Sequence, residues 1–145
     1  MLVLAGDIGG TSAHLAYFRV QGDKTEAIVK HVYLSSEFSG VGEVVEEFVS
    51  SRSELADVAC FSIAGAVRHE HVFATNLGWT VDAGEISRRF SIRAVHVMND
   101  LEANAYGIPT LGEPDFALLN EGVPEAAGNA AVVSAGTGLG EAGLY

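Results

Sequence analysis

Cysteine, proline and positive charge are all scarce in this chain. A single cysteine, Cys60, among 145 residues makes an intrachain disulfide impossible. Lys and Arg number 8 against 19 Asp and Glu, a net charge of −11. That imbalance argues against broad contact with a nucleic-acid backbone or an anionic membrane surface. It leaves a nucleotide site open, because backbone N–H groups bind phosphate without lysine. No apolar run reaches the roughly 20 residues of a membrane-spanning helix. No basic stretch precedes an apolar one at the N-terminus, so a cytoplasmic protein is expected. The absence of a Gly-Lys-Ser/Thr triplet excludes a Walker A loop. The absence of G-x-S-x-G leaves a nucleophile-elbow hydrolase unsupported. None of the five histidines is paired with the cysteine, and "HEH" at 69–71 is too isolated to argue for zinc.

What remains is a globular composition, 48% apolar and 19% charged. A chain this long removes roughly two-thirds of its unfolded surface from water. The apolar pattern predicts strands over 2–8, 12–20 and 26–34, joined as an antiparallel meander. Helical spacing of Val41, Val44, Val45, Phe48 and Val49 predicts a helix within 38–52, with Ser39 as its N-cap. "ADVACFSIAG", 56–65, reads as a strand buried on both faces, with Cys60 as a core residue. A short strand is expected over 71–76, and a helix over 82–90 with Asp82 as cap and Glu85 three residues on. A buried strand over 93–98 and a short helix over 101–108 follow. All three prolines fall within 109–129, which marks a linker or a change of domain. "AAVVSAGTGLGEAGLY", 130–145, then repeats the opening pattern of strand, glycine turn and strand. The order is that of an α/β layer fold.

Three stretches carry candidate chemistry. In "GDIGGTS", 6–12, Gly9 and Gly10 allow a tight turn and close approach of a ligand. Thr11 and Ser12 add hydroxyls, and Asp7 is suited to hold Mg²⁺ through water. An ordinary glycine hairpin fits the same residues. "SAGTGLG", 134–140, repeats the arrangement. Its overlap with G-x-G-x-x-G over 138–143 is discounted, because those glycines do not open a helix within a βαβ unit. Two glycine-and-threonine hairpins are a stronger signal than one. In "MNDLEANAYG", 98–107, Asn99 and Asp100 follow an apolar run. They suit a helix start, with Glu102 completing a variant capping box. They equally suit a general base and a hydroxyl-binding amide at the carboxyl end of a parallel strand. Trp79 in "TNLGWTVD" either stacks on a sugar or fills the core.

Together, "LAGDIGGTSAHLAYF", "SIAGAV", "TNLGWTVD", "VMNDLEANAYGIPTL" and "SAGTGLGEAGL" resemble, in order and rough spacing, the bacterial ATP-dependent glucokinases. These are a branch of the actin-like sugar kinase and hexokinase superfamily. The resemblance covers essentially the whole chain. It implies a ribonuclease H-like, actin-like ATPase fold, a mixed α/β sheet with helices. Residues 1–110 would form the small N-terminal lobe, and 111–145 a linker and the first hairpin of the larger lobe. ATP and glucose would bind in the cleft between lobes.

By the same resemblance, Asp7, Gly9, Gly10, Thr11 and Ser12 form a first phosphate loop, with Asp7 near Mg²⁺. Gly136, Thr137 and Gly138 form a second. Asn99, Asp100 and Asn76 bind the sugar, and Asp100 accepts the proton of its 6-hydroxyl. Ser12 and His14 stand where Asn and Arg are common in the family, and Ala66 where Pro is usual. The family's remaining sugar ligands and its adenosine pocket have no counterpart here. The chain is therefore expected to be the N-terminal part of a longer enzyme, inactive alone. A homodimer, or self-association through the unpaired terminal strands, is expected. A kinase for mannose, fructose or an N-acetylated hexose is the alternative within the class. A non-catalytic sugar-binding module is the alternative outside it. The loop's start at residue 6 and the acidic charge speak against a DNA-binding version of that module.

Overall fold

The computed structural model describes residues 1–123, 128–135 and 139–145. They fall into two compact units, Met1–Asp100 and Leu101–Tyr145.

The first unit opens with β1 (Leu2–Ile8), β2 (Ser12–Gln21) and β3 (Lys24–Leu34), the expected antiparallel meander. Residues 9–11 join β1 to β2, and β2 meets β3 with a bulge near Tyr17 and Phe18. α1 (Val41–Ser50) follows, then β4 (Val58–Ile63), which pairs parallel with β1. A small antiparallel sheet comes next: β5 (Val67–Arg68), β6 (His71–Ala74) and β7 (Trp79–Asp82). α2 (Ala83–Phe90) and β8 (Ala94–Asn99) complete the unit, β8 lying parallel to β4. The main sheet has the order β3-β2-β1-β4-β8.

The core lies on one face of this sheet. Leu4, Ile8, Leu15, Tyr17, Phe61, Ile63 and Val97 pack with Val44, Val45 and Phe48 of α1 and Ile86 of α2. The Tyr17 and Phe48 rings meet edge to face, 5.1 Å between centroids. Alternate residues point to the other face, as the pleat requires. This corrects the sequence expectation for β4. It alternates between buried and half-buried residues, and Cys60 is half-buried. The continuous apolar run suggested a strand covered on both sides, whereas α1 and α2 serve one side.

The helix starts differ in their chemistry. Asp82 caps α2 as expected, its Oδ1 accepting from the Glu85 N–H at 3.1 Å. That bond holds the Asp82 carboxyl below its usual range, with smaller help from Gly84, His71 and Arg88. Ser39 does not cap α1. Gly40 occupies that place, and the Glu43 carboxylate turns back to accept from the Ser39 N–H at 2.8 Å. The β5–β6 turn was not anticipated. Its central residues, His69 and Glu70, take φ of 51° and 62° without glycine.

α3 begins at Asp100 and runs to Gly107. The second unit continues through single turns of 3-10 helix at Ile108–Thr110 and Glu113–Asp115. It ends in an antiparallel hairpin of β9 (Ala130–Ala135) and β10 (Leu139–Leu144). Gly140 and Gly143 lie within β10 rather than at a helix start, consistent with discounting the dinucleotide pattern.

Candidate active site

Polar residues gather at the carboxyl ends of the parallel strands. Apolar residues fill the bodies of β1, β4 and β8, and the chain becomes polar or glycine-rich where each ends. The register puts Asp7 beside Ser62, and Ile63 beside Asn99. Asp7 and the Asn99-Asp100 pair thus stand two strand spacings apart, about 10 Å by ordinary sheet geometry.

The turn after β1 is closed by hydrogen bonds from Gly9 N–H to Ser12 carbonyl, 2.9 Å, and from Ser35 N–H to Thr11 carbonyl, 3.0 Å. The Ser35 hydroxyl also donates to the Gly9 carbonyl at 2.8 Å. Ser35 is 1% exposed. Neither Gly9 nor Gly10 has a positive φ. At Gly9 smallness matters instead: a Cβ there would lie 3.1 Å from the Ser12 carbonyl oxygen. A Cβ on Gly10 would lie 3.5 Å from the Asn76 Cβ, so Asn76 adjoins this turn. Thr11 is exposed and Ser12 half-buried. The Ser12 hydroxyl is 3.1 Å from His14 Nε2.

Asp7 is exposed at the end of β1, and its Oδ1 accepts from the Ser62 hydroxyl at 2.6 Å. Asn99 ends β8, and its Nδ2 donates to the Gly65 carbonyl at 3.1 Å. Gly65 itself packs against the β6 backbone: a Cβ there would fall 2.7 Å from the Phe73 carbonyl oxygen. Asp100 is half-buried as the first residue of α3. A carboxylate there is favoured by the helix macrodipole.

Three supporting residues escaped the sequence reading: Ser35, Ser62 and Gly65. Ser62 left the clearest trace, a lone hydroxyl inside the apolar "VACFSIAG". Ser35 gave none, since it follows a strand as serine does at many turns. Trp79, left open between sugar and core, is 7% exposed and belongs to the core. Gly136, Thr137 and Gly138 lie outside the described residues, and β9 and β10 flank them. Among the described residues no three His, Cys, Asp or Glu side chains cluster as a metal cage. Mg²⁺ does not need one. It commonly takes one or two carboxylates, waters and substrate phosphates. An exposed Asp7 beside a glycine turn fits that donor set.

The family model for glucokinase matches residues 4–145. The chain belongs to the glucokinase family. A glucokinase of Nostoc punctiforme is 32% identical over 142 residues, which span 97% of this chain and 42% of that relative. The crystal structure of glucokinase from an Antarctic psychrotroph superposes with a TM-score of 0.83 at 27% identity. That match covers 99% of this chain and 49% of the other. A ROK-family glucokinase from Streptomyces griseus, solved with glucose and AMPPNP, superposes with a TM-score of 0.67 at 20% identity. It covers 99% of this chain and 44% of the other, and it shows the shared fold. The expected actin-like sugar-kinase architecture is therefore the observed one. The chain spans less than half the length of each of these glucokinases. Among the described residues, no helix is long and apolar enough to cross a membrane.

Proposed function

We propose that these residues are the N-terminal part of a glucokinase that transfers the γ-phosphate of ATP to the 6-hydroxyl of D-glucose. The observation that carries this reading is the gathering of Asp7, the 9–12 turn, Asn76, Asn99 and Asp100 at one end of the sheet in a chain of this family.

Asp100 is the general base. Its carboxylate accepts the proton of the 6-hydroxyl as that oxygen bonds to phosphorus and the bond to ADP breaks. Asn99 and Asn76 hold other sugar hydroxyls and fix the attacking one. Gly9, Gly10, Thr11 and Ser12 present N–H and hydroxyl groups to the phosphates, and Gly136, Thr137 and Gly138 act likewise in the second turn. Asp7 would hold Mg²⁺, whose charge when bound would offset that of the phosphates. Phosphoryl transfer depends chiefly on such alignment and charge neutralisation. The whole enzyme is cytoplasmic and homodimeric in this reading; sedimentation of the natural polypeptide checks the dimer, and cell fractionation the compartment.

The test is a coupled assay across hexoses on the natural polypeptide, with Asp100→Ala and Asp100→Asn. Glucose is expected to be the best substrate, and both variants to lose on the order of 10²–10⁴ in kcat. Near-wild-type turnover by Asp100→Asn would remove Asp100 as base. Preference for mannose, fructose or an N-acetylated hexose would move the assignment to another kinase of this fold.

A further inference from the structure

We propose that Ser62 is a positioning residue that fixes the bearing of the Asp7 carboxylate for metal-bound nucleotide. The inference rests on the reading of 7–12 as a phosphate site. Asp7 and Ser62 are register partners on adjacent parallel strands. Their side chains share the sheet face opposite the core, and their hydrogen bond is 2.6 Å. That length is typical of a hydroxyl donating to a carboxylate, a bond about twice as strong as one between neutral groups.

Packing offers no reason for a hydroxyl at this position. Ser62 sits in an apolar run, between the core residues Phe61 and Ile63. An exposed aspartate at a strand end would otherwise sample several rotamers. Its antiparallel partner on β2 is His14, whose Nε2 is engaged with the Ser12 hydroxyl. With Oδ1 held by Ser62, the second carboxylate oxygen has a defined direction from which to bind a metal-coordinated water. Ser62 touches neither metal nor nucleotide in this scheme and acts through Asp7.

The experiment titrates the natural polypeptide with Mn²⁺·AMPPNP by calorimetry, with Mn²⁺ paramagnetic resonance as a second readout. It compares wild type, Ser62→Ala, Ser62→Thr and Asp7→Asn. Ser62→Ala is expected to weaken Mn²⁺·AMPPNP about tenfold, the scale of one charge-assisted hydrogen bond. Metal-free AMPPNP and glucose affinities should stay unchanged. Ser62→Thr keeps the hydroxyl with a side chain suited to a strand, and should restore binding. Wild-type Mn²⁺·AMPPNP affinity in Ser62→Ala, with Asp7→Asn weakened, would overturn the inference and leave the phosphate site standing. Equal weakening of metal-free and metal-bound nucleotide, or no restoration by threonine, would overturn it as well. Unchanged binding in Asp7→Asn would instead bring down the phosphate-site reading. If Ser62→Ala fails to fold, Ser62→Cys, with its weaker donor, takes its place under the same criteria.

Discussion

Replacing Ser35 with alanine tests whether the β1–β2 turn is shaped from outside itself. The Ser35 hydroxyl is 1% exposed and donates to the Gly9 carbonyl at 2.8 Å. Alanine removes the donor and strands the carbonyl. A buried unsatisfied polar group costs about 1–3 kcal/mol. Gly9 is half-buried, so water can reach it in part, and the low end of about 1 kcal/mol applies. The Ser35 N–H still donates to the Thr11 carbonyl, so the turn loosens without being released. One kcal/mol is about a fivefold change in a local opening equilibrium. Hydrogen exchange at the Gly9 amide, which bonds the Ser12 carbonyl, should therefore speed about fivefold. Nucleotide affinity should fall by up to the same factor while glucose affinity holds. Ser35→Cys, close in volume with a weaker donor, should fall between. A lower melting temperature with unchanged exchange over residues 9–12 would show that Ser35 supports the core and not the turn.

Gly65→Ala drives a Cβ to 2.7 Å from the Phe73 carbonyl oxygen and disturbs the acceptor of Asn99. It should cost about 1–3 kcal/mol in urea unfolding and raise the glucose Kd, and retained glucose affinity would show the Asn99 tie to be dispensable. Phe48→Ala empties a fully buried site against Tyr17 and should cost about 3–5 kcal/mol by the same assay, without altering the ratio of nucleotide to glucose affinity. Asp82→Ala removes the α2 cap. The Asp82 carboxyl lies below its unfolded value of 3.8, so its contribution is present above that pH and is lost as pH falls through the lower folded value. The melting-temperature gap between wild type and Asp82→Ala should therefore close on acidification below about pH 4, and a gap constant with pH would refute the cap's role.

The sequence carried the main sheet well because its strands state their period and limits. Leu2–Ile8 ends at Gly9, and Val58–Ile63 ends shortly before Gly65. α1 and α2 were equally plain from the spacing of valines and from the Asp82 cap. The small sheet was harder. β5 has two residues and shows no period, and its turn places His69 and Glu70 at positive φ where Asn-Gly would have given a signal. The half-exposure of Cys60 was hidden for another reason. An apolar run tells that a strand is compatible with two covered faces, and only the placement of α1 and α2 tells that one face is covered. The candidate site residues at strand ends were named from motif. Residues that hold them, Ser35 above all, act across sequence separations no local pattern reports.

The geometry leaves a helix start and the proposed chemistry at Asn99-Asp100 compatible. Asn99 still belongs to β8, and its amide nitrogen is spent on Gly65, across the sheet end. Asp100 already belongs to α3, where a negative charge is favoured by the first-turn N–H groups. The change of element falls between the two residues. The Asn99 side chain is thereby tied to Gly65, while Asp100 is the first residue of the helix, and both stand at the same strand end. Restraint before substrate arrives is the condition under which the proposed base would be effective. Asp100→Asn keeps a side chain suited to a helix start yet cannot accept the proton, whereas Asp100→Ala lacks both. Equal kcat losses with a stability loss only in the alanine variant would separate the helix-start role from the proposed catalytic one.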